Sequence, residues 1–215
     1  MTFGVVLVGW VLSLCLHEYA HARVAFVGGD RSVAEKGYLS FNPLRYAHPT
    51  YSILMPLVVL MMGGIGLPGG AVYIDESALR SRGWRSAVAA AGPAANVVTG
   101  LTLVLGLRML PDSLEVLRPA LAFLVLIEVT STIFNLLPVS PMDGFGVLAP
   151  WLPVRLVERM HGLGVAPVWI LFFALAYPPV GRVFWDGVYT TLQALGVSPG
   201  LARRGLHEFM FWRAG

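Results

Sequence analysis

The feature that most constrains this chain is its first apolar run. From Phe3 to Leu16 no side chain is charged, and the run continues to about Val27, long enough to cross a bilayer. His17-Glu18-Tyr19-Ala20-His21 lies in its second half. Positions i and i+4 share a helix face, so His17 and His21 can each turn a ring nitrogen toward one metal ion, and Glu18 can reach water bound to it. A charged group in that setting costs on the order of 2–3 kcal/mol even on lenient insertion scales, so a cluster held there implies a function and a neutralising partner. The natural partner is Zn2+. Two plainer readings compete. Surface histidines beside a glutamate would need polar flanks, which this run lacks. A histidine pair hydrogen-bonded to neighbouring helices would need no third ligand. Cys15 precedes His17 by two positions, faces the other way, and reads as a buried apolar residue.

Composition places the motif in a membrane protein. Hydrophobic residues make up 56% of the 215 and charged ones 13%, against about 25% charged in soluble domains. The expected fold class is an all-α polytopic membrane protein: a helix bundle of about four to six membrane segments with a re-entrant element and short β strands. A single integral membrane domain covers 1–215, with a catalytic core of about 1–146 and extra membrane or interfacial helices over about 147–215. The first segment has no basic start or small-residue cleavage site, so it does not read as a signal peptide. One cysteine excludes an internal disulfide and multi-cysteine metal sites. The net charge of +3 comes from arginines between apolar runs, which are topology signals and not a nucleic-acid footprint.

Along the chain, Gly28-Gly29-Asp30 ends the first helix. Gly37–Phe41 alternates as a short strand would, and Ala71–Ile74 reads as another. His48, beside a proline in a loop, reads as a surface residue. Ile53–Leu67 is apolar but short and glycine-broken. Ser86–Leu107 is a clear membrane helix that carries Gly92-Pro93-Ala94-Ala95-Asn96; its small residues allow close backbone approach. Asn96 is either a substrate-binding or a helix-packing polar residue. Pro119–Leu137 is the next membrane helix, containing Glu128 and Asn135. Pro138 to Gly144 is too proline-rich to continue it. Asp143 therefore stands at the tip of a broken helix, where irregular backbone must line a cavity and a carboxylate needs neutralising; zinc would do so. Val147–Arg159 is amphipathic, Gly162–Val180 is a further membrane helix, and Val183–Val197 lies in the interface or crosses back. His161 reads as exposed, and His207-Glu208 lacks the later histidine of the motif.

Two of these stretches together resemble the site-2 protease family of intramembrane zinc metalloproteases. One is H-E-x-x-H on an early membrane helix. The other is N-x-x-P-x-x-P-x-D-G ending a later one, here Asn135 to Gly144. The Gly92–Asn96 run looks like the family's motif in the helix between. The likeness extends to about Gly146 and is greatest to short bacterial members without PDZ or CBS domains. It implies that His17, His21 and Asp143 ligate zinc, that Glu18 is the general base, and that Asn135 holds the substrate or the developing oxyanion. It also implies a membrane protein substrate with a single transmembrane helix. Met142, Phe145 and Glu128 depart from the family pattern. Glu128 shares a face with Asn135, seven positions on; it is a protonated packing residue, an arginine's partner, or an extension of the site. A non-catalytic zinc-binding pseudoprotease is the alternative. A transporter would show matching halves, and the chain shows no repeat.

If the three ligands meet, the ends of their helices share one membrane face. Arg31, Lys36 and Arg45, then Arg80, Arg82 and Arg85, mark that face as cytoplasmic in an inner membrane. Ile53–Leu67 must then dip in and return, or hug the surface, and not cross once. A Gly69→Cys probe is expected to label from the cytoplasmic face; labelling from the outer face alone contradicts this topology.

Overall fold

The structure is a computed structural model and describes residues 1–41, 72–164 and 166–213. His48, Ile53–Leu67 and Gly69, and with them the expected re-entrant element, lie outside the described residues. The helices are Thr2–Gly28 (α1), Ser32–Glu35 (α2), Arg82–Met109 (α3), Arg118–Asn135 (α4), Asp143–Leu148 (α5), Val154–Gly162 (α6), Ala166–Ala176 (α7), Pro178–Ala194 (α8) and Pro199–Phe209 (α9). Among the described residues there is no strand, so the fold is all-α.

Among the described residues three helical stretches are long and apolar enough to cross a membrane: Thr2–Gly28, Arg82–Met109 and Asp112–Asn135. The last is the central one. Two-thirds of its apolar window is buried, against 39% and 33% for the other two. Ser81 starts α3 by accepting a hydrogen bond from the Trp84 amide. Pro119 sits in the first turn of α4, where no amide is needed. Gly28 of α1 meets Trp84, and His21 meets Val88, so α3 runs antiparallel to α1. Gly9 packs against Leu124, with the two helix starts at the same end, so α4 runs parallel to α1.

At that end Trp10, Phe123, Leu124, Val188, Leu192 and Phe209 form the main apolar core. The C-terminal α9 closes it. Phe209 is fully buried and stacks on Phe3, and Glu208 accepts a hydrogen bond from Thr2 Oγ1 at 2.8 Å. At the opposite end a second cluster joins Cys15, Ala22, Ala25, Leu79 and Val88. Cys15 is thus a packed apolar residue, as its phase on the helix predicts.

Three expectations need correction. Gly37–Phe41 is turn and bend, not strand. Its amides bond backward onto α2, Gly37 N to Ala34 O and Tyr38 N to Val33 O, and so cannot feed a ladder. In the second expected strand, Val72–Ile74 is irregular and Ala71 lies outside the described residues. Side chains hold this segment: Lys36 Nζ donates to Tyr73 O, and the Asp75 amide to Asp30 Oδ2, both at 2.8 Å. The helix expected over Gly162–Val180 is shorter. α7 has 11 residues, about 16 Å, before the chain turns at Tyr177-Pro178. Counting the bent α6–α7 pair as one gives up to four stretches of sufficient length and hydropathy among the described residues. Pro150 and Pro153 likewise split the amphipathic Val147–Arg159 stretch between α5, a 3-10 turn at Ala149–Trp151, and α6.

Phe209→Ala removes the ring that seats α9 on α1 and α4. A loss of about 3–5 kcal/mol is expected for a fully buried aromatic. It is read as a lower Tm in detergent with metal content unchanged; an unaltered Tm contradicts this docking.

Candidate metal centre

Three elements build the site. α1 contributes His17, Glu18 and His21, all buried. α3 crosses α1 at Gly92. A Cβ on Gly92 would stand closer than 3.0 Å to ring atoms of both His17 and His21. The missing side chain is therefore the space the two imidazoles occupy. α5 contributes Asp143 at its N-terminus. Gly144 follows against the Leu136 carbonyl, where a Cβ would again fall inside 3.0 Å. That contact presses the start of α5 onto the end of α4. Ser86 ties the same segment to α3: its Oγ donates to Val147 O at 2.7 Å and accepts from Trp151 Nε1 at 2.9 Å.

The resulting distances are short. His17 Nε2 lies 3.3 Å from Asp143 Oδ2, His21 Nε2 lies 3.4 Å from Asp143 Oδ1, and the two Nε2 atoms are 3.1 Å apart. Ligands at zinc's usual 2.0–2.1 Å on a tetrahedron would stand about 3.3–3.4 Å apart. The other ring nitrogens fix the tautomers. His21 Nδ1 faces the Val88 carbonyl at 2.7 Å, an acceptor only, so Nδ1 carries the proton and in the neutral ring Nε2 is bare. His17 Nδ1 faces Asn96 Oδ1, with the same consequence. Two bare nitrogens and a carboxylate thus converge. Only a cation, a proton or a metal ion, can relieve that arrangement. Two imidazoles and one carboxylate with a fourth position open are a catalytic-zinc donor set, and both histidines have the second hydrogen bond that zinc-binding histidines show. The residues fit the ion.

A cavity of about 600 Å³ opens onto these groups. It is lined by His17, Glu18, His21, Asn135 and Asp143, with Val72 to Ile74 and Arg85 at its border. The Asp143 carboxylate, 21% exposed, is the ligand nearest this space; the two imidazoles are below 10%. Asp30, 1% exposed, anchors the border segment by accepting from the amides of Ser32 and Asp75. Just beyond, hydrogen bonds from the Ser77 hydroxyl and amide hold the Asp75 carboxyl below the usual carboxylate range.

Of the residues singled out in the sequence, His17, Glu18, His21, Asn135 and Asp143 meet at this cavity. Asn96 does not line it. Its amide is 3% exposed and engaged at both ends, with Oδ1 toward His17 and Nδ2 donating to Glu128 Oε2 at 2.9 Å. His161 lies near the site end of the fold, its ring 5.7 Å from that of Phe145, and no hydrogen bond or ion pair ties it to the metal donors. Sequence reasoning missed the Val88 carbonyl and Asp30. Val88 leaves no signal, because any residue supplies a carbonyl. Asp30 was read only as part of the first helix's end, not as an anchor for a segment 45 positions on.

Fold and donor set together describe a helical membrane protein in which an H-E-x-x-H pair and a distant aspartate form a possible metal-binding triad. Comparison with known proteins makes this specific. The chain is 41% identical over 217 residues to the "Putative zinc metalloprotease Rip2" of Mycolicibacterium smegmatis, covering 99% of this chain and 82% of that one. It is 37% identical over 214 residues to the protein of the same name in Mycobacterium tuberculosis, covering 98% and 81%. It is 27% identical over 188 residues to the "Putative zinc metalloprotease YwhC" of Bacillus subtilis, covering 81% of each. No protein-family profile and no solved structure matches. The chain belongs to the site-2 protease family of zinc metalloproteases.

Gly92→Ala places a methyl group among the ligand rings while favouring the helix by about 0.8–1 kcal/mol. Zinc affinity is expected to fall at least about tenfold, the scale of outer-shell losses at metal sites, with helix content kept. Competition with a chelator and circular dichroism check both; wild-type affinity contradicts the packing described.

Proposed function

We propose that this protein is an intramembrane zinc endopeptidase that cleaves membrane-spanning or membrane-proximal substrates, in the manner of regulated intramembrane proteolysis. The observation that carries the proposal is the junction of His17, His21 and Asp143 beside Glu18, in a bundle with three apolar helices. A purely structural metal site needs no base, and Glu18 lines the same cavity as the ligands.

His17, His21 and Asp143 would hold the ion. Zinc bound there supplies a Lewis acid, which lowers the pKa of a water toward about 7 and polarises a peptide carbonyl. Glu18 takes the proton from the attacking water and returns it to the leaving amine. Asn135 would hydrogen-bond the substrate carbonyl as negative charge develops on it, a role its position in the cavity wall supports. Asn96, expected from the sequence as a substrate-binding or packing residue, turns Oδ1 to His17 and one Nδ2–H to Glu128, which favours a positioning role on His17.

A transmembrane substrate hides its carbonyls in i→i−4 hydrogen bonds and must unwind locally before attack. Val72–Ile74, at the cavity border, offers backbone for an unwound segment to pair with. The partners are thus a membrane protein substrate, with a single transmembrane helix, and the lipid bilayer itself. The arginines near α3's start favour an inner-membrane location with the site open to the cytoplasm.

Glu18→Gln keeps the ligands and removes the base. Zinc content should stay at the wild-type level while kcat for a transmembrane peptide falls about 10²–10⁴-fold. Cleavage at the wild-type rate removes Glu18 from the mechanism.

A further inference from the structure

Glu128 is a buried ionisable group for which the chemistry above has no use. It lies in the middle of α4 and is 1% exposed. Oε2 accepts from Asn96 Nδ2 at 2.9 Å, and the other end of that amide faces His17 Nδ1. Ser13 of α1 neighbours the carboxyl, yet Oε1 completes no hydrogen bond. Glu128 also borders a cavity of about 150 Å³ with Gly100, Thr132 and Thr191. An unsatisfied buried acceptor costs about 1–3 kcal/mol, more when charged. Packing alone would favour an apolar side chain here. The contact that links Glu128 to the candidate site is the hydrogen bond it accepts from Asn96.

That bond decides which way Asn96 points. An asparagine amide can present its oxygen or its NH2 group by turning about one torsion. With Oδ1 toward the ring, His17 keeps its proton on Nδ1 and leaves Nε2 bare for a metal. With the amide turned, an N–H meets Nδ1, the proton moves to Nε2, and the ligand is blocked. In its ionised form the Glu128 carboxylate can only accept, and in that form it captures the NH2 end and leaves Oδ1 for the imidazole. We infer that Glu128 is a positioning residue for the metal centre: acting through Asn96, it locks His17 in the tautomer that binds the ion. This rests on the metal reading of His17, His21 and Asp143. It puts an amide relay where many zinc sites have a carboxylate directly on the histidine.

The test is the Zn(II) affinity of the purified protein, measured against a chelator in detergent, with the Co(II) visible spectrum and the Tm of the metal-free form. Glu128→Gln can donate as well as accept and so loses the selection. Affinity should fall about 10–100-fold, while the metal-free Tm stays level or rises because the unsatisfied acid is gone. Pairing Asn96→Asp with Glu128→Gln exchanges carboxylate and amide. The carboxylate then accepts from His17 in either orientation, and the amide donates to its other oxygen. Affinity and Co(II) spectrum should return, to within about threefold of wild type, the scatter of uncoupled changes. Asn96→Asp alone, with two acids face to face, should not recover them. The inference is overturned if Glu128→Gln binds Zn(II) as the wild type does, or if the exchanged pair binds no better than Glu128→Gln. Asp143→Ala separates the two readings. If it binds Zn(II) as tightly as the wild type, the metal reading itself fails, and this inference with it.

Discussion

Three electron-pair donors, on His17, His21 and Asp143, lie within 4.8 Å of one another where three largely apolar helices meet a cavity. In water such a cluster would be solvated; in a helix bundle only a cation can relieve it, and the low dielectric makes that attraction strong. The architecture follows from this requirement. α1 supplies two donors one turn apart. α3 comes close enough to orient both, through the Val88 carbonyl and the Asn96 amide, because Gly92 has no side chain to keep it away. α4 ends in a proline-rich turn that delivers Asp143 at the same depth, and Gly144 lets that turn fold back against Leu136.

The polar interior continues beyond the ligands without reaching solvent. His17, Asn96 and Glu128 join α1, α3 and α4 in one chain of contacts at the level where the three helices pack. Such a chain holds ring orientation more firmly than apolar packing can, since each bond fixes a torsion as well as a distance. Near the open end of the site, Asp30 and Lys36 do the corresponding work on the backbone of Tyr73 to Asp75. The closed end is sealed by α9, whose amphipathic face covers the starts of α1 and α4. In this way the ligands and the proposed base face one opening.

Much of this was legible in the residues because it is local. His17 and His21 are set by helical phase. Asp143 is exposed to inference by its prolines and glycine, and the antiparallel course of α3 follows from requiring the ligands to meet. What was not legible depends on pairing across the chain. Gly37–Phe41 alternates like a strand, but positive φ at Gly37 and bonds back to α2 turn it. The tail, with Arg203 and Arg204, showed its charge but not the buried face of Ala202, Gly205 and Phe209. The helix after Gly162 was overextended because hydropathy alone does not see the turn that Pro178 and Pro179 start. Glu128 stood out as an anomaly in an apolar helix; its partner Asn96, 32 positions earlier, appears only once α3 and α4 are packed.

The central claim is that His17, His21 and Asp143 share one zinc ion. The most direct measurement is the zinc-edge X-ray absorption spectrum of the purified, metal-loaded protein. The account predicts two imidazole nitrogens and carboxylate or water oxygen at about 2.0–2.2 Å. A sulfur scatterer near 2.3 Å, which would point to Cys15, or an oxygen-only shell without imidazole would contradict it.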